Sequence, residues 1–257
     1  MPGEHIIDRR LTEVTGKDAL TFLQGLVSND VMKLGTGPGI VWAAFLSPQG
    51  KYLADFFVVN TGAALLLDMP ESLADATLRR LSMYKLRADV QLAPSQLYVS
   101  RGIGALPLDA MPDPRHMALG WRFYSDAQGG PAQIDWDALR VEHIIPKSGV
   151  ELIPDDSYLL EMGFERLNGV DFRKGCYVGQ EVTARMKHKT ELRKGLARVA
   201  IIGTAPVGTE ITTQDGKAAG TLYTQSNGHA LAYLRFDRAL GEMRAGEAVI
   251  TPALTGP

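Results

Sequence analysis

The sequence predicts an α+β fold in two parts: mixed antiparallel sheet and helix over residues 1–190, forming two α+β subdomains, and a small β-barrel over 191–257. Three observations carry this. Residues 40–70, IVWAAFLSPQGKYLADFFVVNTGAALLLDMP, hold three apolar runs separated by SPQG at 47–50 and by Asn60-Thr61-Gly62. That pattern reads as three strands joined by tight turns. The next run, ESLADATLRRLSMY, sets Leu73, Thr77, Leu81 and Tyr84 at helical spacing, so helices and antiparallel strands share the first part. After residue 193 the texture changes. KGLARVAIIG, GTEITT, KAAGTLYTQ, HALAYLRF and GEAVITP are short strands separated by Gly, Asp and Asn turns, the spacing of a small antiparallel barrel.

The remaining elements follow in chain order. TGKDALTFLQGLVSND at 15–30 reads as a helix with Thr15 as its N-cap, because Leu20, Leu23, Leu26 and Val27 recur at helical spacing. DVQLAP and LYVSRG are strand-like. Residues 104–135 are rich in Pro, Gly and Asp, which predicts a long excursion with short strands. WDALRVEHIIPKSG reads as a helix stopped near Pro146. No internal repeat and no low-complexity tract interrupts the chain.

Composition narrows the function classes. The 257 residues are 45% hydrophobic and 22% charged, with a formal net charge of −2, which suits a globular protein and argues against nucleic acid as a direct partner. One cysteine excludes a disulfide within the chain, and one chain cannot build an all-Cys zinc or iron–sulfur site. The start, MPGEHIIDRR, shows no apolar stretch behind a basic one, so no signal peptide is expected. Apolar runs such as AALLLDMP are too short to span a bilayer. Together these features predict a cytoplasmic chain with no membrane partner. No GxxxxGK[ST], HExxH or GxSxG is present, and RGIGAL at 101–106 does not match the dinucleotide fingerprint. The five histidines, at 5, 116, 143, 188 and 229, are scattered, so no metal site is expected.

What remains is KGCYVGQEVTAR at 174–185. A lone cysteine is ordinarily a small buried hydrophobe, but these neighbours point elsewhere. Gly175 and Gly179 flank Cys176 and Tyr177, letting the backbone turn tightly or approach a ligand. Lys174 adjoins the thiol, and a nearby cation favours thiolate. Gln180, Glu181 and Arg185 add hydrogen-bonding groups, and Glu181 and Arg185 are spaced to pair on a helix. The stretch reads as a loop entering a helix, with a polarised thiol at the bend. Between Arg173 and Arg198, eight Lys or Arg face only Glu181 and Glu191, a local net charge of +6. Such a run is either a solvated face or a site for an acidic partner, a phosphate or a carboxylate-rich ligand.

KGCYVGQEVTAR closely resembles the K-G-C-[FY]-x-G-Q-E-x-x-x-R motif of the YgfZ family, a branch of the folate-binding superfamily typified by the glycine-cleavage T-protein, an aminomethyltransferase (GcvT). The resemblance extends along the chain through FLQGLVSNDV, FLSPQGKYLADFFV, LSMYKLRADV, DPR at 113–115 and WDALRVEHIIP. It implies a ring-like GcvT fold with a C-terminal barrel, and a central site for tetrahydrofolate or a derivative. It also implies a role in assembling or repairing iron–sulfur proteins, including enzymes that modify tRNA, with those proteins or assembly factors as partners.

Site residues follow motif by motif. Leu139, Arg140 and Glu142 match the L-R-x-E of the T-protein, whose glutamate holds the pterin; a carboxylate there accepts paired N–H bonds from the pterin edge. Tyr84 and Arg87 of LSMYKLRADV are carried into the same folate site. The T-protein has two adjacent aspartates after the hairpin glycine; here Ala54 replaces the first and Asp55 keeps the second, which is the acid–base group. The T-protein lacks the cysteine, so Cys176, supported by Lys174, belongs to the YgfZ-type activity. The leading expectation is a folate-binding accessory factor for iron–sulfur clusters. The alternative is a tetrahydrofolate-dependent aminomethyl or methyl transferase with Asp55 as base, and a third is an interaction module using the basic segment.

Overall fold

The structure, a computed structural model, describes residues 3–189 and 191–252. It contains two open sheets, four α-helices and a closed barrel. The elements are β1 (Glu4–His5), β2 (Arg9–Thr15), α1 (Ala19–Gln24), β3 (Gly39–Leu46), β4 (Tyr52–Asn60), β5 (Leu65–Pro70), α2 (Glu71–Lys85), β6 (Gln91–Pro94), β7 (Tyr98–Gly102), β8 (Met111–Pro112), β9 (Trp121–Ser125), α3 (Trp136–His143) and α4 (Gln180–Lys189). The barrel follows as β10 (Lys194–Ile202), β11 (Glu210–Thr213), β12 (Ala218–Ser226), β13 (His229–Arg235), β14 (Met243–Ala245) and β15 (Ala248–Pro252).

The central sheet has the order β3-β4-β5-β2-β6 and is antiparallel throughout. Its middle strands are buried on both faces, which explains why β3 and β4 read as near-continuous apolar runs and not as alternation. One face carries Trp42, Ala44, Leu46, Tyr52, Phe57 and Val59 against Leu152, Leu159, Phe164 and Leu167. Trp42 stacks on Phe164 at 4.1 Å between ring centroids. The other face carries Val41, Ala43, Phe45, Phe56 and Val58 against α1 and α2, through Leu23, Ala74 and Leu81. A second sheet, β1-β7-β9-β8, forms in and before the excursion over 104–135.

The barrel closes in the order β10-β13-β12-β11-β14-β15. Five of its strands are the ones the sequence predicts. The sixth, β14, has three residues, too few to show a period. The domain boundary expected at residue 190 falls outside the described residues; the first barrel strand begins at Lys194. A buried clasp joins barrel to body. Glu151 accepts from Arg140 at 2.8 Å and from the Thr224 hydroxyl of β12 at 2.5 Å, while Arg140 also donates to Thr224 at 2.7 Å.

The predicted helix over 15–30 is shorter than expected. Thr15 ends β2 and is not a cap; Asp18 takes the N-cap position, and the helix covers only Ala19–Gln24. Gly16 turns the chain at φ +104°. Leu26 and Val27 lie beyond the helix yet still bury their side chains in the same core, so helical spacing extends further than helical backbone. The helix predicted at 136 ends at His143, where Ile144 adopts a left-handed conformation at φ 53°, two residues before Pro146.

Candidate functional site

The loop before α4 is tied down at several points while its thiol stays outside. Lys174 reaches back to α1 and donates to the Val27 carbonyl at 2.7 Å and to that of Gln24. Gln24 returns a bond to the Lys174 carbonyl at 3.1 Å, and Val178 N–H donates to Gly25 O at 3.2 Å. Tyr177 N–H donates to the Gln180 side chain at 3.1 Å, closing the turn into α4. Tyr177 is buried and Lys174 lies 4.7 Å from its ring centroid. Cys176, between these anchors, is exposed. The sequence expectation of a thiol at a bend entering a helix holds.

Two glycines make the docking possible. Gly179 has φ +82°, and a Cβ there would lie 2.4 Å from the Ser47 carbonyl oxygen of the SPQG turn. Gly50, at φ +74°, faces it; its Cβ would lie 2.6 Å from Cβ of Val182 on α4. Only residues without a side chain permit this approach. The other loop glycine, Gly175 at φ +93°, meets nothing within 4 Å; its role is conformational, not steric.

Lys174 does more than place a cation beside the thiol. Its ammonium is spent on two carbonyls, and burial brings its pKa down to about 8, against the opposing pull of Asp30, Asp171 and Cys176. Its charge still couples to Cys176, but its hydrogen bonds fix the loop. Glu181 and Arg185 are both exposed on α4. Among the described residues, the ion pair that α4 makes is Lys187 with Glu165.

Asp55 occupies a separate place, on the Trp42–Phe57 face of the central sheet. It is buried and accepts from Trp42 Nε1 at 2.8 Å, Tyr52 OH at 2.6 Å and Ser148 Oγ at 2.5 Å. Burial, then the charge of Asp55, pushes the Tyr52 phenol well above its usual pKa, so Tyr52 remains a donor. Asp55 lines a cleft with Phe57, Trp136 and several arginines. The Asp113-Pro114-Arg115 motif contributes one of them. Arg115 pairs with Asp113 at 2.7 Å and lies 4.9 Å from the Phe57 ring centroid. Burial works to raise the Asp113 pKa, but Arg115 and Arg122 overcome it and hold the carboxylate ionised.

The other residues carried over do not gather here. Arg140 lines the cleft, but its guanidinium is committed to Glu151, Thr224 and Asp137. Glu142, two residues on along α3, points away and is exposed; it is absent from the cleft lining. Tyr84 packs edge-on to Phe45 at 5.9 Å, which places it on the opposite face of the central sheet from Asp55. Arg87 is exposed beyond the end of α2. Sequence reading missed Ser148 and Tyr52 as partners of Asp55; Tyr52 sits within the hairpin motif, while Ser148 has no local signal. Among the described residues, no group of three His, Cys, Asp or Glu side chains is placed to hold a metal ion, and no helix is long and apolar enough to cross a membrane.

A closed barrel behind a two-sheet α+β body, with a cleft on the central sheet, defines a protein of the GcvT-like fold. A glycine cleavage system aminomethyltransferase T from Bartonella henselae superposes with a TM-score of 0.75 over 98% of this chain and 86% of its own, at 14% sequence identity. Residues 193–256 match the family described as the CAF17 C-terminal beta-barrel domain. The mouse mitochondrial iron–sulfur cluster assembly factor IBA57 is 32% identical over 91% of this chain and 78% of its own length. The human protein of that name is 29% identical over 93% and 79%, and its homologue in Mycosarcoma maydis is 30% identical over 77% and 57%. The chain belongs to the CAF17/IBA57 family. The expected GcvT-like superfamily is thereby met, with relatives that are named IBA57 where the motif suggested the related YgfZ family. One expectation is corrected: these relatives are mitochondrial proteins, which overturns the cytoplasmic placement.

Proposed function

We propose that this protein is a folate-binding accessory factor, of the kind the YgfZ motif implies, that assembles or repairs iron–sulfur clusters of client proteins, tRNA-modifying enzymes among them, and that it acts through Cys176. The observation that carries this reading is the presentation of the chain's single thiol: exposed, on a loop fixed to α1 and to the SPQG turn. A structural cysteine would be buried and inert; a thiol that must meet a partner's metal has to be accessible and held in place. The names of the relatives point the same way. One thiolate cannot cage a cluster, so the cluster is shared with a partner protein or a small thiol. The exposed Arg173 and Arg185 beside the loop favour an acidic partner surface.

The ligand assigned to the Asp55 cleft is tetrahydrofolate or a derivative. The support is chemical: a buried carboxylate that accepts N–H bonds, beside the aromatic walls of Phe57 and Trp136. Glu142 and Tyr84, outside the cleft, take no part in this version of the site. The role of Cys176 is tested by anaerobic mixing with a cluster-loaded iron–sulfur carrier protein. Wild type is expected to change the visible absorption of the cluster and to co-elute with the carrier, and Cys176→Ala to do neither. Equal behaviour of the two proteins would remove Cys176 from the function.

A further inference from the structure

One cation of the Asp55 cleft makes no salt bridge among the described residues. Arg9 and Arg122 meet Asp68, Arg115 meets Asp113, Arg140 meets Glu151, and Lys147 lies 3.5 Å from Asp8. Arg101 makes no ion pair among the described residues, and its Nε is buried without a hydrogen-bond partner. This is no arginine resting in solvent. Its guanidinium stacks 4.0 Å from the Trp136 ring centroid. Burial first, then the charges of Arg122 and Arg115, draw its pKa down to about 10.

Strand register creates this situation. Arg101 on β7 sits directly opposite Arg122 on β9 and Glu4 on β1, and like charges opposite each other repel. Arg122 has Asp68 to offset it. Glu4 is occupied elsewhere: its carboxylate accepts from the backbone N–H groups of Gln133 and Ile134 at 2.6 Å each and from Trp136 Nε1 at 2.5 Å. Arg101 also lines a second cavity, with His5 and the Gln128-Gly129-Gly130 turn. His5 itself, paired with Ser100, turns to the opposite face of that sheet, beside Tyr98.

We propose that Arg101 forms an oxyanion subsite of the Asp55 cleft that takes a carboxylate or phosphate group of a small-molecule ligand. A guanidinium offers two parallel donors to such a group. Asp55, held by the neutral donors Trp42, Tyr52 and Ser148, also has no opposite charge paired with it. The cleft thus presents one anion and one cation without a salt bridge among the described residues, Asp8 and Glu4 acting on Arg101 through their charge alone. It suits a molecule with N–H donors at one end and an oxyanion at the other. The subsite stands whether or not that molecule is a folate.

The test titrates the full chain with inorganic phosphate and, separately, with tetrahydrofolate, following the thermal midpoint and calorimetric affinity in wild type, Arg101→Gln and Arg101→Lys. Wild type is expected to be stabilised by at least one of the two, with affinity at least tenfold weaker in Arg101→Gln and intermediate in Arg101→Lys, which keeps the charge without the fork. Arg101-dependent phosphate binding without folate binding supports the subsite and sinks the folate reading. Arg101-dependent folate binding without a phosphate response assigns a carboxylate. Folate binding undiminished in Arg101→Gln, together with no Arg101-dependent phosphate response, overturns the subsite and leaves the folate reading standing. Should Arg101→Gln fail to fold, affinities in Arg101→Lys equal to wild type overturn it.

Discussion

At the scale of single residues, Lys174 shows how one side chain serves both geometry and charge. Its ammonium closes the backbone of α1 onto the cysteine loop, and burial lowers its pKa from 10.5 to about 8. Between those values the unfolded chain holds a proton that the folded protein has released, so folding stability rises with pH across that window. Below pH 8 both states are protonated and the contribution is flat. Chemical denaturation of wild type and Lys174→Gln on either side of pH 8 is expected to show the difference moving in favour of wild type as pH climbs; a difference independent of pH contradicts the buried ammonium. Much of this site was legible in the sequence, because Lys174, Gly175, Cys176, Tyr177, Gly179 and Gln180 act on one another locally. The surroundings of Asp55 were not. Ser148 is 93 positions away from it, and Glu142, which a motif placed at the pterin, is turned outward by its position on α3 relative to the buried Arg140.

At the scale of elements, the junction of α4 with the SPQG turn depends on two missing side chains. Gly179→Ala would place a methyl 2.4 Å from the Ser47 carbonyl oxygen at a backbone φ of +82°. The strain at a left-handed non-glycine residue is about 1–3 kcal/mol, and the steric contact adds to it. The expected outcome is a loop that detaches before the protein unfolds, seen as faster amide exchange over residues 174–185 with little change in the barrel. Exchange unchanged over that stretch contradicts the docking. Hairpins were easily read because β3, β4 and β5 are joined by short turns rich in Gly, Pro and Asn. Strand β14 and the true ends of α1 were not, since a three-residue strand has no period and Leu26 and Val27 are buried by tertiary contacts outside any helix.

At the scale of the whole molecule, body and barrel are held by the Arg140–Glu151–Thr224 clasp, in which Glu151 is 1% exposed and Arg140 6%. Removing one partner of a buried ion pair leaves the other uncompensated, at a cost of about 3–5 kcal/mol. Glu151→Ala is therefore expected to lower the free energy of unfolding from denaturant titration by an amount of that order, while a value within experimental error of wild type contradicts a structural clasp. Arg140 shows why a motif match does not fix what a residue does. It stands where the L-R-x-E pattern puts it, yet its donors are consumed by the clasp to the barrel. Cys176 is the opposite case, exposed and held out from the fold by its anchored neighbours. Its role is tested most directly by rescue of iron–sulfur enzyme activity in cells lacking this protein, with Cys176→Ala shown to be folded by its thermal midpoint. An exposed side chain contributes within about 0.5 kcal/mol, so a thiol that carries the function predicts an unchanged midpoint and no rescue; full rescue by the folded Cys176→Ala protein would contradict it.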